Sequence, residues 1–435
     1  MNLRNLQLSA LAFSAILLLA AGGAYLAGAA WTVLLVVGLT ALAIGLGGVD
    51  SLRSLTFTAW IAAAVVAAIL IPQVFQPYQS GTPSYKLLLL VLIQIVMFGM
   101  GTQMGLKDFV GVAKSPIPVA IGLFCQFTIM PLVGYGLAIA FRLPPEIAAG
   151  MVLIGSCSSG LASNVMAYIG RANLALSITL TAVATLLAPV ITPFWMKTLA
   201  SGFLANTDVP LSFVGMMVGI IKIVIVPTGA ALIHDYLRHA GRAGKTITWS
   251  LAAAGVVLPA ILITGAWWPS SPDLATWVEL AGWLLGGVAI GCLYHVLVNA
   301  VPPIARAMPA AAMAGIVYVT GMTTADGRDA LLAVGIVLVV AAALHNLLGF
   351  LLGYWMSRAL GMDPQSARTV AFEVGMQNGG MATGLASEMG KLGTLGLPAA
   401  IFIAWMNVSG SLLANFWRRR PVNTEQSDTP ASAAN

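Results

Sequence analysis

Glu373 is a carboxylate within an otherwise apolar stretch of the chain, and the amides Gln377 and Asn378 follow it closely. A charged side chain inside a membrane-spanning segment is costly, so such a residue is a functional candidate by default. Four glycines crowd the same stretch: Gly375, Gly379, Gly380 and Gly384. Glycine weakens a helix, and a broken helix frees backbone groups that lipid cannot satisfy. The stretch therefore predicts a helix interrupted around an internal cavity.

A second polar interruption lies earlier, at residues 155–164 (GSCSSGLASN). Two such segments in corresponding helices of two halves are typical of transporters built from inverted repeats. In these proteins half-helix N-termini receive an anion and unwound carbonyls coordinate a cation. The helix before the first interruption carries Gln126, and the helix before the second carries His345 and Asn346. Close helix packing alone would explain the glycines, but not the carboxylate and the amides.

The composition identifies lipid as the main solvent of the chain. Of its 435 residues, 59% are apolar and 8% are charged, and the mean hydropathy is +0.94. This polar surface is too small to coat a soluble globule. The net charge of +6 comes from single charges scattered between apolar blocks, which argues against a nucleic-acid partner. Cys125, Cys157 and Cys292 lie in apolar stretches, and we interpret them as small core residues.

The charges divide the chain into apolar segments of membrane-spanning length. Residues 5–49 contain no charge and are too long for one span, so they are expected to form two, turning near Gly22 to Trp31. With this division the sequence predicts about 14 transmembrane helices in an all-α polytopic membrane protein. They are placed near residues 6–28, 30–48, 55–76, 87–105, 116–141, 147–170, 173–200, 210–234, 247–267, 277–299, 308–324, 330–357, 367–389 and 393–417.

The basic residues of the connections predict the orientation. Of 20 lysines and arginines, 14 fall on the side of the N-terminus and five on the other, while Lys222 lies within a span. Positive residues accumulate on the cytoplasmic side, so both termini are predicted to be cytoplasmic in a bacterial inner membrane. A lysine in Lys222's position commonly snorkels or pairs with a neighbouring helix, and we assign it no role. Residues 421–435 are polar and predict a disordered cytoplasmic tail.

With these residues in view, the chain resembles the bile acid:sodium symporter family, from about Tyr85 to Trp417. Seven ordered blocks of sequence carry the resemblance. They are Phe98-Gly99-Met100-Gly101 with Lys107-Asp108-Phe109, Gln126-Phe127 with Met130-Pro131, Ala162-Ser163-Asn164-Val165-Met166, Ala175-Leu176-Ser177 with Thr181, Leu344-His345-Asn346, Glu373-Val374-Gly375-Met376-Gln377-Asn378, and Asn407 with Ser409-Gly410-Ser411.

The resemblance implies a core of two inverted three-helix repeats, about 116–203 and 330–417, whose interrupted middle helices cross near the bilayer midplane. The remaining helices, about 55–110 and 205–326, would form a panel domain beside the core. The transporter region would then cover residues 55–420. This chain adds a transmembrane hairpin at residues 1–54 and a helix pair within about 247–324, and we assign neither a function.

The resemblance also implies ligands for sodium as the coupling ion. The first sodium site would use Ser163, Asn164, Ser177, Thr181 and Glu373. The second would use Gln126, Glu373, Val374, Met376 and Gln377, with Val374 and Met376 contributing backbone carbonyls. Hydroxyl, amide, carbonyl and carboxylate oxygens suit a hard cation. Two sodium ions against one carboxylate leave about one positive charge, which favours an anionic cargo. The expected substrate contacts are Leu161, Ala162, Asn378, Gly379 and Asn407.

The substrate side departs from the family pattern. Family members commonly have Pro-Gly-Gly-Thr where this chain has Ser158-Ser159-Gly160-Leu161, so a proline and a substrate-facing hydroxyl are missing. Met406 precedes Asn407 where a histidine can occur. The predicted sodium ligands are retained and the substrate pocket differs, so the resemblance does not identify the cargo.

The function predicted from these observations is sodium-coupled symport of a small organic anion, which could be bile-acid-like, pantoate-like or a keto acid. The alternative is a proton-coupled transporter or ion exchanger of the same architecture, because a buried Glu373 could carry a proton. An enzyme is disfavoured, since no His-Glu-x-x-His or Gly-x-Ser-x-Gly pattern occurs. No enzymatic cofactor is expected, and the oligomeric state is left open.

Overall fold

The computed structural model describes residues 3–49, 52, 55–78, 80–264, 271–420 and 422. The predicted tail at 421–435 lies outside this part of the chain apart from Val422. The regular secondary structure of the described residues consists of helices. Their one β-bridge is an isolated antiparallel pairing of Ser159 with Gln377. This bridge joins the two segments that the sequence singles out as interruptions.

The first half of the chain forms ten helices. They are α1 (Leu3–Leu26), α2 (Thr32–Leu46), α3 (Thr56–Leu70), α4 (Pro83–Gly101), α5 (Leu106–Lys114), α6 (Pro116–Ala140), α7 (Pro145–Ser156), α8 (Leu161–Ile169), α9 (Leu174–Trp195) and α10 (Ser201–Leu204). A π-helical turn, Met196–Ala200, joins α9 to α10.

The second half forms ten more. They are α11 (Phe213–Ile220), α12 (Val226–His239), α13 (Arg242–Ile263), α14 (Pro272–Ala300), α15 (Pro303–Asp326), α16 (Arg328–Val334), α17 (Ile336–Ala359), α18 (Pro364–Gly375), α19 (Gly379–Glu388) and α20 (Leu397–Arg418). A π-helical turn, Ile221–Ile225, joins α11 to α12.

Ten helical segments of the described chain are long and apolar enough to cross a membrane. Three further apolar helices, α2, α3 and α7, are shorter than a full span. Both interrupted segments consist of half-helices, α7 with α8 and α18 with α19, none of which spans a bilayer alone. The described chain is therefore a multi-pass membrane protein, and the count of fourteen spans stays a prediction.

The interruptions are shorter than the glycine content suggests. The second consists of residues 376–378 and contains no glycine, because Gly375 ends α18 and Gly379 begins α19. Gly375 instead allows a close approach: a Cβ there would lie 2.2 Å from a ring carbon of Phe350. In the first segment a Cβ on Gly155 would lie 2.5 Å from the carbonyl oxygen of Met130. These two glycines permit helix packing, so glycine density indicated where the chain is interrupted but not what interrupts it.

The helices that the sequence predicts as additions to the family pattern pack on one another and on their neighbours. Helices α1 and α2 form a hairpin whose second member packs on α3, and α13 pairs with α14, which packs on α12. In the second contact, Lys222 Nζ lies 2.6 Å from Glu279 Oε1. Lys222 is in the π-helical turn, and its carbonyl accepts a hydrogen bond of 2.9 Å from Gln94. The lysine is thus paired with a neighbouring helix. All three cysteines are buried and unpaired.

Candidate ion and substrate site

The two interruptions hold each other through backbone hydrogen bonds. The amide of Asn378 donates to the carbonyl of Ser158 at 2.7 Å, and the amide of Gly160 donates to the carbonyl of Met376 at 3.3 Å. Each break frees backbone groups that must find partners away from lipid. Here the freed groups of one break satisfy those of the other, so both interruptions form together as one structural unit.

Side chains then fix the ends of the half-helices. Asn378 caps α19, because its Oδ1 accepts from the amide of Met381 at 3.0 Å. Asn346 on α17 donates from Nδ2 to the carbonyl of Gly375 at 2.7 Å, which satisfies an end carbonyl of α18. Ser409 on α20 donates to Asn346 Oδ1 at 2.5 Å and so holds that amide in place. A helix from each side of the break therefore supports its geometry.

Glu373 lies in the last turn of α18 and is 1% exposed. Three hydroxyls donate to its carboxylate: Ser159 to Oε2 at 2.5 Å, Thr181 to Oε2 at 2.8 Å and Ser177 to Oε1 at 2.5 Å. Hydroxyl donors stabilise the ionised form of a buried carboxylate. The carboxylate of Glu373 is therefore surrounded by neutral hydroxyl groups.

Asn164 extends this cluster from α8. Its Oδ1 lies 2.7 Å from Ser177 Oγ and 3.3 Å from Thr181 Oγ1, within hydrogen-bonding distance of both hydroxyls. Ser163 lies in the same turn and donates to the carbonyl of Gly160 at 2.7 Å. All five residues expected at the first sodium site thus lie in one region formed by α8, α9 and α18, where Asn164 is half-buried and the other four are buried. Four of them, Asn164, Ser177, Thr181 and Glu373, form one hydrogen-bonded network.

The residues expected at the second site form an adjacent cluster. Gln126 donates from Nε2 to the carbonyl of Cys157 at 3.1 Å and to Gln377 Oε1 at 3.0 Å. Gln377 donates from Nε2 to the carbonyl of Val374 at 2.6 Å. Gln126 Oε1 is buried and has no hydrogen-bond partner among the described residues. An unpartnered buried acceptor is costly, so this oxygen is available to a cation.

The ligand chemistry of both clusters is oxygen-based. Within the described chain no group of three or more His, Cys, Asp and Glu side chains could hold a metal ion. Nitrogen and sulfur ligands select transition metals, whereas hydroxyl, amide, carbonyl and carboxylate oxygens select hard cations. The arrangement therefore fits an alkali cation better than zinc, iron or copper.

A cavity of about 370 Å³ opens beside the interruptions. Its walls come from α8, α19 and α20 on one side and from α3, α4 and α15 on the other. All five expected substrate contacts line it: Leu161, Ala162, Asn378, Gly379 and Asn407. Gly160 and Gln377, which belong to the joined breaks, lie in the same wall. The cavity and the oxygen clusters are therefore neighbours.

Most of the cavity wall is apolar, and no charged side chain is among the described residues that line it. Methionines dominate the side that faces Asn378, whose Nδ2 lies 3.6 Å from Met100 Sδ and 3.9 Å from Met97 Sδ. The polar side chains are the Thr58 hydroxyl and the amides Gln103, Gln377, Asn378 and Asn407. Such a wall suits a ligand with a sizeable apolar part and few polar groups.

Ser159 and Asn346 are the contributors that sequence reasoning did not assign to the site. In the sequence, Ser159 differs from the family pattern, and its position within a polar break is the signal that points to it. Asn346 precedes the second break, and the sequence does not indicate its partner. Hydroxyl direction and helix pairing decide both contacts, and neither follows from local sequence.

The chain is similar to a family of known transporters. The model of the Sodium Bile acid symporter family matches residues 89–266. YocS of Bacillus subtilis, named an uncharacterized sodium-dependent transporter, is 30% identical over 87% of this chain and 95% of its own length. Chloroplastic BASS1 of Arabidopsis thaliana, a probable sodium/metabolite cotransporter, is 27% identical over 84% of this chain and 74% of its own.

A human relative extends the range of the similarity. The ileal sodium/bile acid cotransporter of Homo sapiens is 27% identical over 67% of this chain and 66% of its own length. These relatives are membrane transporters and not enzymes, and the described chain has the apolar helices of a multi-pass membrane protein. On the extent of its similarity to YocS and the match to the family model, this protein is a transporter that belongs to the sodium bile acid symporter family.

Proposed function

We propose that the protein is a sodium-coupled symporter that carries a small organic anion across a bacterial inner membrane. The observation that carries this proposal is the oxygen network around buried Glu373, which adjoins the cavity through the joined breaks. The names of the relatives support the coupling ion, since YocS, BASS1 and the ileal protein are each called sodium-dependent or sodium cotransporters.

Two cation positions are supported by the two clusters. The first is formed by Ser163, Asn164, Ser177, Thr181 and Glu373, and the second by Gln126, Glu373, Val374, Met376 and Gln377. Glu373 is shared, so two bound sodium ions face a single carboxylate. The resulting charge of about +1 in a low-dielectric site attracts an anion. Cation binding therefore prepares the site for the cargo, which is the basis of coupling.

In this proposal the anion binds in the cavity. Its charged group lies at the N-termini of α8 and α19, near Leu161, Ala162 and Gly379, where the helix dipoles favour negative charge. Asn378 and Asn407 supply amide contacts, and the apolar remainder of the cargo packs on the methionines of α4 and α20. The names of the relatives point to bile acids or other metabolites as the type of cargo.

With the predicted topology, the cavity opens toward the cytoplasmic side, which corresponds to an inward-facing state. The cavity includes Phe57, Gln103, Ile169 and Pro309, which lie at helix ends on the predicted cytoplasmic side. In this scheme the core, residues 116–203 and 330–417, moves against the panel to change the exposure of the cavity. Both termini are cytoplasmic in the same scheme.

A proton-coupled transporter or ion exchanger is the alternative, and a specific observation favours keeping it. Glu373 is buried, and its hydrogen bonds within the described chain come only from hydroxyls. A carboxyl group in such a position can take up and release a proton. The cation that the protein follows distinguishes the two functions.

The test is the thermal stability of the purified protein in sodium, potassium or choline at matched ionic strength. A cation that binds the folded state at about 100 times its Kd adds about 2.7 kcal/mol to the free energy of unfolding. We expect sodium to raise the Tm of the wild type and of the control Glu388→Gln, at the far end of α19, but not that of Glu373→Gln. The proton-coupled alternative would be established instead if sodium did not change the Tm of the wild type and if pH changed the Tm of the wild type but not that of Glu373→Gln.

A further inference from the structure

Ser159 occupies a position between the two cation clusters. Its side chain is part of the first, because Oγ lies 2.5 Å from Glu373 Oε2 and 3.3 Å from Thr181 Oγ1. Its backbone is part of the second, because it forms the isolated β-bridge with Gln377. The residue is 1% exposed, so its hydroxyl is directed into the network and not toward lipid or the cavity.

The break does not need this hydroxyl for its own structure. The two interruptions are tied by main-chain groups, from Asn378 to Ser158 and from Gly160 to Met376, which any residue at position 159 leaves in place. Members of the family that the chain resembles commonly have glycine here. A side-chain oxygen at this position is thus an addition, and it points at the shared carboxylate.

The neighbouring serine shows that burial alone does not produce the contact. Ser158 is 0% exposed, yet its hydroxyl accepts a weak hydrogen bond of 3.4 Å from Thr185 and lies 4.0 Å from Met381 Sδ. It has no hydrogen bond to Glu373 in the described structure. Two adjacent serines of equal burial therefore differ in the one property that matters for a cation: proximity to the carboxylate.

We propose that Ser159 is a specificity-determining residue of the first cation site, an inference that rests on the proposed sodium coupling. A hydroxyl has one hydrogen and two acceptor lone pairs, so Ser159 can donate to Glu373 and accept a cation at the same time. Its oxygen joins those of Asn164, Ser177, Thr181 and Glu373 around the ion. An additional close oxygen strengthens sodium binding, and because it narrows the site it favours sodium over the larger potassium ion.

The experiment measures the sodium concentration that gives half of the maximal Tm increase, with choline replacing sodium and, separately, with potassium as the titrated cation. The variants are Ser159→Ala, Ser159→Gly and the control Ser158→Ala. Ser159→Gly introduces the residue common in the family, so it keeps the test available should alanine disturb the break. Loss of a hydrogen bond to a charged group corresponds to about tenfold in affinity.

We expect both Ser159 variants to need about tenfold more sodium and to discriminate less between sodium and potassium, with Ser158→Ala within about twofold of wild type. Unchanged half-saturation in Ser159→Ala and Ser159→Gly overturns the inference, and so does an equal loss in Ser158→Ala. If the wild type responds to sodium while the Ser159 variants match it, only this inference fails. If the wild type does not respond at all, sodium coupling fails and the inference fails with it.

Discussion

The amide nitrogen of Asn378 lies 2.7 Å from the carbonyl oxygen of Ser158, across 220 residues of sequence, and this contact joins the two interrupted helices. Everything that can bind a cation in the described site is arranged around that junction. Gln126 reaches it from α6, Asn346 from α17 and Glu373 from α18. Because the two breaks are one unit, a ligand that binds one of them also orders the other.

Gln126→Leu should weaken the second cation position and spare the first. The substitution keeps the approximate volume but removes the buried Oε1 and the hydrogen bonds to Cys157 and Gln377. We expect the sodium dependence of Tm to change from two-ion to one-ion behaviour, with a Hill coefficient falling toward one. Gln94→Leu is the matched control, since Gln94 bonds to Lys222 in another part of the molecule. A sodium titration that is identical in Gln126→Leu and wild type would contradict the second site.

Gly155→Ala should destabilise the fold. Its Cβ would lie 2.5 Å from the carbonyl oxygen of Met130, which is backbone and cannot move aside cheaply. We expect a loss of about 1–3 kcal/mol, seen as a lower Tm. The control is Gly136→Ala on α6, where a Cβ meets nothing within 4 Å. There the replacement should be neutral or stabilising by up to about 1 kcal/mol, because alanine favours a helix. Equal effects at both positions would show that close approach is not the role of Gly155.

The sequence could single out residues that the structure brings together, because their signals are local. A carboxylate, amides and small residues inside apolar segments stand out without any knowledge of neighbours, and the resemblance added the partners on α6 and α9. Of the predicted residues, Ser177 and Thr181 both lie within hydrogen-bonding distance of the Glu373 carboxylate. What interrupts α18 was not predicted, because the glycines flank the break and the pairing partner lies in another helix.

Contacts between helices that are distant in sequence could not be predicted, for a physical reason. Lys222 and Glu279 are 57 residues apart, and their pairing depends on which faces of two apolar helices meet. Neither helix has a polar stripe that defines such a face. The direction of the Ser159 hydroxyl is likewise set by the position of α18, and not by its neighbours in the chain.

The ion pair between Lys222 and Glu279 should stabilise the contact of α14 with the π-helical turn that precedes α12. The Nζ to Oε1 distance is 2.6 Å, and the lysine side chain is 16% exposed. Lys222→Met leaves the Glu279 carboxylate with the longer, 3.4 Å contact from Trp283 Nε1, and Glu279→Gln leaves the ammonium group without its carboxylate. We expect each single variant to lose about 1–3 kcal/mol and the double variant to lose less than the sum. The measurement is a double-mutant cycle on thermal or denaturant unfolding in detergent.

The same cycle contains its own control for function. Because the ion pair lies outside the oxygen clusters, all three variants should keep the wild-type increase of Tm with sodium. Additive losses would show that Lys222 and Glu279 do not interact energetically. A lost sodium response in these variants would instead connect the inserted helices to the cation sites, contrary to the separation described above.

Ala162→Phe should separate cargo binding from cation binding. Ala162 lines the cavity at the start of α8, whereas Ser163 and Asn164, the members of the cation cluster on the same helix, do not line it. A phenyl ring occupies much of a cavity of about 370 Å³, so an organic anion that stabilises the wild type in sodium should no longer do so. The sodium-dependent increase in Tm should remain. The probes are steroid carboxylates, pantoate and short keto acids, each added with and without sodium.

Ala140→Phe is the matched control, because Ala140 is exposed at the end of α6 and does not line the cavity. Its response to both sodium and anion should equal that of the wild type. The apolar wall leads us to expect larger shifts from anions with more apolar surface, since burial of that surface contributes about 25 cal/mol per Å². An anion shift that survives in Ala162→Phe would place the cargo outside this cavity, and an anion shift that is independent of sodium in the wild type would contradict coupling.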